Sequence, residues 1–322
     1  MAVRPESLQQ SNGPPPPYDS KFANEYTFER HLGEGNFGIV LKAKRNADKK
    51  YYAVKRIPVK SSASGGDDEE VAMREVQPTL IHPGIVRFLE AWWESPPWPW
   101  QQVKDNEWGF DDSKNYPKGD QYLYIRTALC RGNLDTWLID EKNQVRQLRR
   151  MKYWFKQLVE ATKYIHDNGK YHRDLKPTNI LFADEDHLKI GDFGLMVDQK
   201  IIDGEEVDNT GSGRGTGAYK APEQDIQHKH KWGKVKISSK VDIFALALIL
   251  LELCVYLKGD NNFKAFDGYR NGKADKVNKY LKEGMPIEAE RNEVARVVAW
   301  MANTDPKMRP DCDQILADPF LC

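Results

Sequence analysis

Nine consecutive residues constrain this chain more than any other feature: Tyr171-His172-Arg173-Asp174-Leu175-Lys176-Pro177-Thr178-Asn179. They follow a segment in which Leu148, Met151, Phe155, Leu158, Thr162 and Ile165 recur at spacings of three and four, the mark of one long amphipathic helix. Asn168-Gly169 supplies the stop of that helix. Within the nine, Asp174 can accept a hydroxyl proton and Lys176 can neutralise a transferring phosphate. Asn179 can offer an amide oxygen to Mg²⁺. A loop without chemistry has little reason to carry that string.

Three further motifs stand in register with it. Gly33-Glu34-Gly35-Asn36-Phe37-Gly38 precedes Ile39-Val40-Leu41-Lys42-Ala43. Glycines let a backbone approach phosphate oxygens closely. A dinucleotide-binding unit needs a helix directly after such glycines, whereas this segment reads as a strand. A second strand, Tyr51-Tyr52-Ala53-Val54-Lys55, carries a lysine that alone would be a solvated edge residue. Asp67, Asp68, Glu69 and Glu70 load the first turn of a helix expected to run to about Gln77, with Glu75 on it and Pro78 ending it. Glu75 sits where a carboxylate is needed to hold Lys55 toward a triphosphate. Lys189-Ile190-Gly191-Asp192-Phe193-Gly194 puts a carboxylate on a short turn, which suits a hard cation that prefers oxygen ligands. Ala221-Pro222-Glu223 closes the segment.

In order and spacing these motifs resemble the signature set of the eukaryotic protein kinases, from about Tyr26 to the end of the chain. The resemblance implies an α+β, bilobal protein-kinase fold with a small β-rich N-lobe and a larger helical C-lobe. It implies ATP and Mg²⁺ as cofactors. The nucleotide would lie among Leu32, Gly33, Glu34, Gly35, Asn36, Phe37, Gly38, Val40, Ala53 and Lys55, with Thr127 as gatekeeper and Leu129 and Cys130 at the hinge. Lys55, anchored by Glu75, would contact the α- and β-phosphates. Asn179 and Asp192 would hold metal, and Asp174 would orient the acceptor hydroxyl with Lys176 beside it. Glu223 would pair with Arg309, and Asp242 would receive backbone N–H groups of the catalytic loop. Lys176-Pro177-Thr178-Asn179 and Thr216 resemble the serine/threonine class.

The finer resemblance is to the kinases of the translation initiation factor two alpha subunit, above all the pancreatic endoplasmic-reticulum kinase. It is carried by His82 to Phe88, Ala91 to Pro97, Tyr122 to Ile125 and Leu129 to Leu134. That substrate, and repression of translation under stress, follow from the resemblance. The alternatives are another protein substrate for a Ser/Thr kinase, or a pseudokinase scaffold. Thr79 stands where the family packs a large apolar residue against Phe193, so the Lys55–Glu75 pair is expected to need help from a dimer or a phosphate. Lys21-Phe22 replaces the relatives' Arg-Tyr, and a homodimer through the N-lobe would be weaker because lysine lacks the bidentate fork. The stretch from Asn261 to Pro286, where relatives have their substrate-docking helix, matches poorly.

Arg173 places a cation beside Asp174, and in kinases with this arginine a phosphorylated activation segment pairs with it. Thr210 or Ser212 is the expected switch, with Thr216 a structural contact. The chain has 322 residues with 48 Lys+Arg against 48 Asp+Glu, so two lobes fit its length and no electrostatic grip on nucleic acid or anionic lipid is expected. Four dispersed cysteines fit a reducing compartment, and a cytoplasmic location follows. The run Val241 to Leu257 is short and contains Asp242 and Glu252, so it reads as a core helix capped by Ser238 or Ser239 and reaching about Tyr256, with no membrane contact. Val294, Val297, Val298 and Met301 mark another helix.

The expected divisions are a disordered Pro-rich leader at 1–24, an N-lobe at 25–129 and a C-lobe at 130–322. The leader contains Pro14-Pro15-Pro16-Pro17-Tyr18, a WW-domain ligand pattern, and the N-lobe a Trp/Pro-rich insert at 95–120. The chain reads equally as an excised kinase domain or a stand-alone relative.

Overall fold

β-branched and aromatic residues recur in the strands of the sheet unit, as in Tyr51-Tyr52-Ala53-Val54. The computed structural model describes residues 20–35, 38–59, 72–73, 75–95, 121–140, 146–199, 216–224, 237–257, 261–273 and 278–322. The WW-ligand pattern, the acidic run 67–70, residues 96–120 of the insert, Asn36, Phe37, Thr210 and Ser212 lie outside them. Two units emerge. One takes in the described residues of Met1–Ile81, Val86–Leu129 and Asp192–Gly194; the other comprises those of His82–Ile85, Cys130–Gly191 and Leu195–Cys322.

The first unit is a five-stranded antiparallel sheet preceded by a short helix, α1 (Lys21–Glu25). Its strands are β1 (Tyr26–Gly35), β2 (Gly38–Arg45), β3 (Tyr51–Val59), β4 (Phe88–Glu94) and β5 (Gln121–Ala128), in the spatial order β1-β2-β3-β5-β4. Two core clusters hold it: one includes Phe22, Tyr26, Leu41, Val54, Trp92 and Tyr124. The other contains Ile57, Val59, Ala72, Leu123 and Ile125. Phe22 stacks on Tyr26 and Tyr124, and Trp92 stacks on both of those tyrosines. Beside the stack, buried Glu94 accepts from Ser20 Oγ (2.8 Å), the Phe22 amide (2.8 Å) and Trp92 Nε1 (2.7 Å). Three donors offset the desolvation of that carboxylate. Lys21, expected at a dimer contact, pairs with Glu90 of its own chain and lies 5.0 Å over Trp92.

The helical segment expected to carry Glu75 ends before it. Ala72 and Met73 are its described helical residues, and Glu75 and Val76 bond back three residues, to the carbonyls of Ala72 (3.2 Å) and Met73 (3.0 Å). Gln77 therefore lies beyond the helix, because a residue before proline is pushed out of the helical region.

The second unit begins with β6 (Gly132–Asn133), α2 (Leu134–Asp140) and α3 (Leu148–Asp167), and continues through β7 (Lys170–Tyr171), β8 (Ile180–Phe182), β9 (Leu188–Ile190) and β10 (Val197–Asp198). It is completed by α4 (Lys240–Cys254), α5 (Asn261–Arg270), α6 (Asn278–Gly284), α7 (Glu288–Met301) and α8 (Cys312–Leu316). All six residues of the helical periodicity in α3 are buried, and Gly169 ends the helix at φ +67°. Residues Val241 to Cys254 of α4 are all buried, so this helix is the post around which the unit packs.

Two details of α4 sharpen the expectation. It starts at Lys240 with Ser239 in helical geometry and uncapped by its own hydroxyl; Ser238 Oγ accepts from the Lys240 amide instead, at 3.4 Å. It ends at Cys254 rather than Tyr256, where Val255 turns to extended backbone. The expected helix around Val294 to Met301 is α7, with those residues buried. No helix among the described residues is long and apolar enough to cross a membrane.

Candidate active site

The sheet unit assembles a lysine between two carboxylates. Register places Val40 opposite Lys55 and Thr127 opposite Ala53, so these four share one face of the sheet. Lys55 Nζ pairs with Glu75 Oε1 and donates to Asp192 Oδ1 at 2.9 Å. The Phe193 amide donates to the other Glu75 oxygen at 3.1 Å. The expected Lys55–Glu75 pair is present. Thr79 is exposed, and the Phe193 backbone clamps Glu75 in its place. Burial works against the ammonium of Lys55, but Asp192 and Glu75 outweigh it and hold its pKa above the ordinary value. Glu75 is displaced upward, first by burial and further by the charge of Asp192, because two carboxylates share one cation.

The glycines of the same unit separate into two kinds. A Cβ at Gly38 would stand 2.1 Å from the carbonyl oxygen of Arg56, so that glycine is required by strand packing. A Cβ at Gly33 would meet nothing within 4 Å, leaving room for a ligand against the backbone. Leu32 beside it is exposed.

The helical unit builds the second constellation. Lys176 Nζ donates to Asp174 Oδ2 at 2.8 Å. Asn179 Nδ2 donates to the Asp174 carbonyl (2.8 Å) and to its Oδ2 (3.1 Å). With its nitrogen so committed, Asn179 has its amide oxygen as the group a hard cation could take. The loop is pinned from below by α4. Asp242 Oδ2 accepts from the His172 amide at 2.9 Å, and Oδ1 from the Arg173 amide at 2.7 Å. His166 Nε2 lies 2.9 Å from the same carboxylate. Burial alone would raise Asp242; His166 and the charge and amides of the loop overcome that and lower its pKa. Arg173 and Asp192 both sit at positive φ, +67° and +60°, a conformation that costs non-glycine residues energy and collects at functional turns.

Behind the loop, Arg309 Nη1 and Nη2 meet Glu223 Oε1 and Oε2 at 2.6 and 2.8 Å, a buried bidentate pair as expected. Cys130, which opens the Cys130–Gly191 segment of the second unit, is partly buried, and burial raises its thiol pKa. Leu129 is the last residue of the preceding segment of the sheet unit. Among the described residues no cluster of three or more His, Cys, Asp or Glu side chains forms a metal cage. A donor set of single carboxylates and amides fits a hard cation that keeps water or phosphate oxygens as its other ligands.

Three participants escaped sequence reasoning. His166 supports Asp242, the Phe193 amide supports Glu75, and Gln224 Nε2 donates to the Arg173 carbonyl at 3.2 Å. His166 carries a weak signal, a basic residue in the last turn of a helix. A backbone amide carries none.

Residues 26–321 match the protein kinase domain. The chain belongs to the protein kinase family. This kinase domain is 34% identical over 79% of its length to the interferon-induced, double-stranded RNA-activated protein kinase of Rattus norvegicus, of which it covers 46%. It is 27% identical over 94% of its length to the eIF-2-alpha kinase GCN2 of Arabidopsis thaliana, covering 25% of that protein. A membrane-associated tyrosine- and threonine-specific cdc2-inhibitory kinase of Drosophila melanogaster is 28% identical over 92% of the chain, with 48% of that protein covered. The chain thus spans about half or less of the length of these relatives. Family membership makes it an ATP-using phosphotransferase that employs a divalent metal.

Proposed function

We propose that this kinase domain transfers the terminal phosphoryl group of ATP to a serine of the alpha subunit of translation initiation factor two, repressing translation under stress in the cytoplasm. The observation that carries the transfer is the Asp174–Lys176–Asn179 cluster, hydrogen-bonded internally and held on a loop whose two amides end on Asp242. In this reading Asp174 receives the proton of the acceptor hydroxyl, and Lys176 faces the charge on the migrating phosphoryl group. Lys55, aimed by Glu75, binds the α- and β-phosphates, and the backbone at Gly33 approaches them. Leu32, Val40, Ala53, Thr127, Leu129 and Cys130 flank the adenine. Mg²⁺, when bound by Asn179 and Asp192, neutralises phosphate charge. Because the transition state of such transfers is loose, positioning and charge neutralisation supply most of the rate.

The substrate reading is supported by the name of the Arabidopsis relative and by the stretches His82–Phe88 and Leu129–Leu134. Lys176 and Thr216 support hydroxyl acceptors of the Ser/Thr kind. A second reading, tyrosine and threonine acceptors, is favoured by the Drosophila relative. Regulation by phosphate on Thr210 or Ser212 near Arg173, an N-lobe homodimer and a WW-domain partner complete the proposal.

Labelled phosphate transfer from ATP to purified initiation factor two alpha, with its accepting serine replaced as control, separates these readings. Phosphoserine that disappears with Asp174→Ala is the expected result. Phosphotyrosine would overturn the Ser/Thr reading, and an enzyme that labels itself but not the factor would overturn the substrate.

A further inference from the structure

The stretch from Asn261 to Pro286, which matches the resemblance poorly, supplies a side chain that bonds to a turn of the activation segment. Thr216–Tyr219 is a single tight 3-10 turn followed by Lys220, and the Lys220 amide reaches the Gly217 carbonyl only at 3.3 Å. Arg270, the last residue of α5, meets the carbonyls of this turn. Its Nη2 donates to Gly217 O at 3.0 Å and to Ala218 O, and its Nε donates to Lys220 O at 3.0 Å. Nη1 is held by Asp267 Oδ1 at 2.5 Å, one helical turn back. The side chain is 10% exposed, and its bonds to the Ala218 and Lys220 carbonyls are partly buried.

Two other contacts fix the same turn. The Phe266 ring lies 5.2 Å from that of Tyr219, and Tyr219 Oη donates to Glu252 Oε2 at 2.5 Å. A guanidinium is a rigid planar fork with five donors and no acceptor, so carbonyls at positions 217, 218 and 220 can all close on it only in one backbone shape. Lysine would bring the charge without the fork.

The turn opens with Thr216. Its other end runs into Pro222–Gln224, where Gln224 bonds the carbonyl of Arg173. It therefore borders the place where an acceptor chain must lie if Asp174 is to reach its hydroxyl. We propose that Arg270 is a specificity-determining positioning residue: through it α5 sets the shape of the 216–220 turn and thereby the affinity and choice of acceptor. The inference rests on the phosphotransfer reading above. It assigns to Arg270 no role in nucleotide handling.

Steady-state kinetics on the full chain test it, with initiation factor two alpha and a library of serine and threonine peptides as acceptors. Arg270→Ala and Arg270→Lys should each raise KM for the acceptor about ten-fold, the loss of one or more charged hydrogen bonds. KM for ATP and ATP hydrolysis without acceptor should stay within about two-fold. Asp267→Asn, at a largely exposed side chain, should shift the acceptor KM the same way by less, and it decides the matter if the Arg270 variants fail to fold.

An unchanged acceptor KM and peptide preference in folded Arg270→Lys and Asp267→Asn would overturn the inference. So would an equal fall in ATP hydrolysis and acceptor transfer. Wild-type enzyme that labels library peptides but not the factor removes only the substrate assignment. Wild-type enzyme that transfers to nothing removes the phosphotransfer reading and this inference with it.

Discussion

Two buried carboxylates, Asp242 in the helical unit and Glu75 in the sheet unit, have moved in opposite directions. Both are lifted by burial. Asp242 nevertheless ends below its ordinary pKa, because two loop amides and His166 converge on it. Glu75 ends above its own, because it shares Lys55 with a second carboxylate, Asp192. The sign of the shift follows the supply of donors per charge, since burial is common to both. One site is a fixed anchor on which three donors converge. The other is a site where two carboxylates share one lysine.

The comparison can be broken at its strong end first. Asp242→Ala strands the His172 and Arg173 amides and should cost about 3 kcal/mol of stability, measured by denaturant unfolding, with transfer activity lost as the loop relaxes. A loss below about 1 kcal/mol would mean that the loop has other support. Glu75→Gln should behave differently. Unfolding stability should change by about 1 kcal/mol or less, because a group already displaced toward its neutral form is replaced by a neutral one. Its kcat/KM for ATP should fall by about a hundred-fold, or ~2.7 kcal/mol, because Lys55 loses its orientation.

His166→Gln tests how much of the Asp242 shift a single donor supplies. A stability loss of about 1 kcal/mol is expected, with activity largely kept because the two amide bonds remain. The smallest effect is on pH dependence. Asp242 binds its proton less readily folded than unfolded, so its stabilisation is present above the ordinary carboxylate pKa near 3.8. That stabilisation is lost as pH falls through the lowered folded value. Acid unfolding followed by circular dichroism should therefore show a shallower limb below pH ~4 in Asp242→Asn than in the wild type.

Legibility in the sequence differed between the same two regions. The α3 periodicity, the Gly169 stop and the Asp174–Lys176–Asn179 spacing were readable because each is a local pattern with one physical meaning. Glu223–Arg309 and the amides on Asp242 were expected only through the family resemblance, and both bonds are present. The helix before Pro78 was read too far toward the proline, since the effect of proline on the residue before it was underweighted. The Lys55–Glu75 pair was thought under-supported because Thr79 is small. The Phe193 backbone amide also bonds Glu75, and no side-chain pattern reports an amide.

Residue order by itself determined the kinase family, the strands that carry Lys55 and the loop that carries Asp174, because those signals span a few neighbouring residues. The tertiary structure decided how charges balance: three donors for Asp242, one shared lysine for Glu75, and a guanidinium from α5 for the carbonyls of 217–220. Those partners lie tens of residues apart along the chain. Electrostatic energy depends on distance and burial in space, and neither is written in the order of the residues.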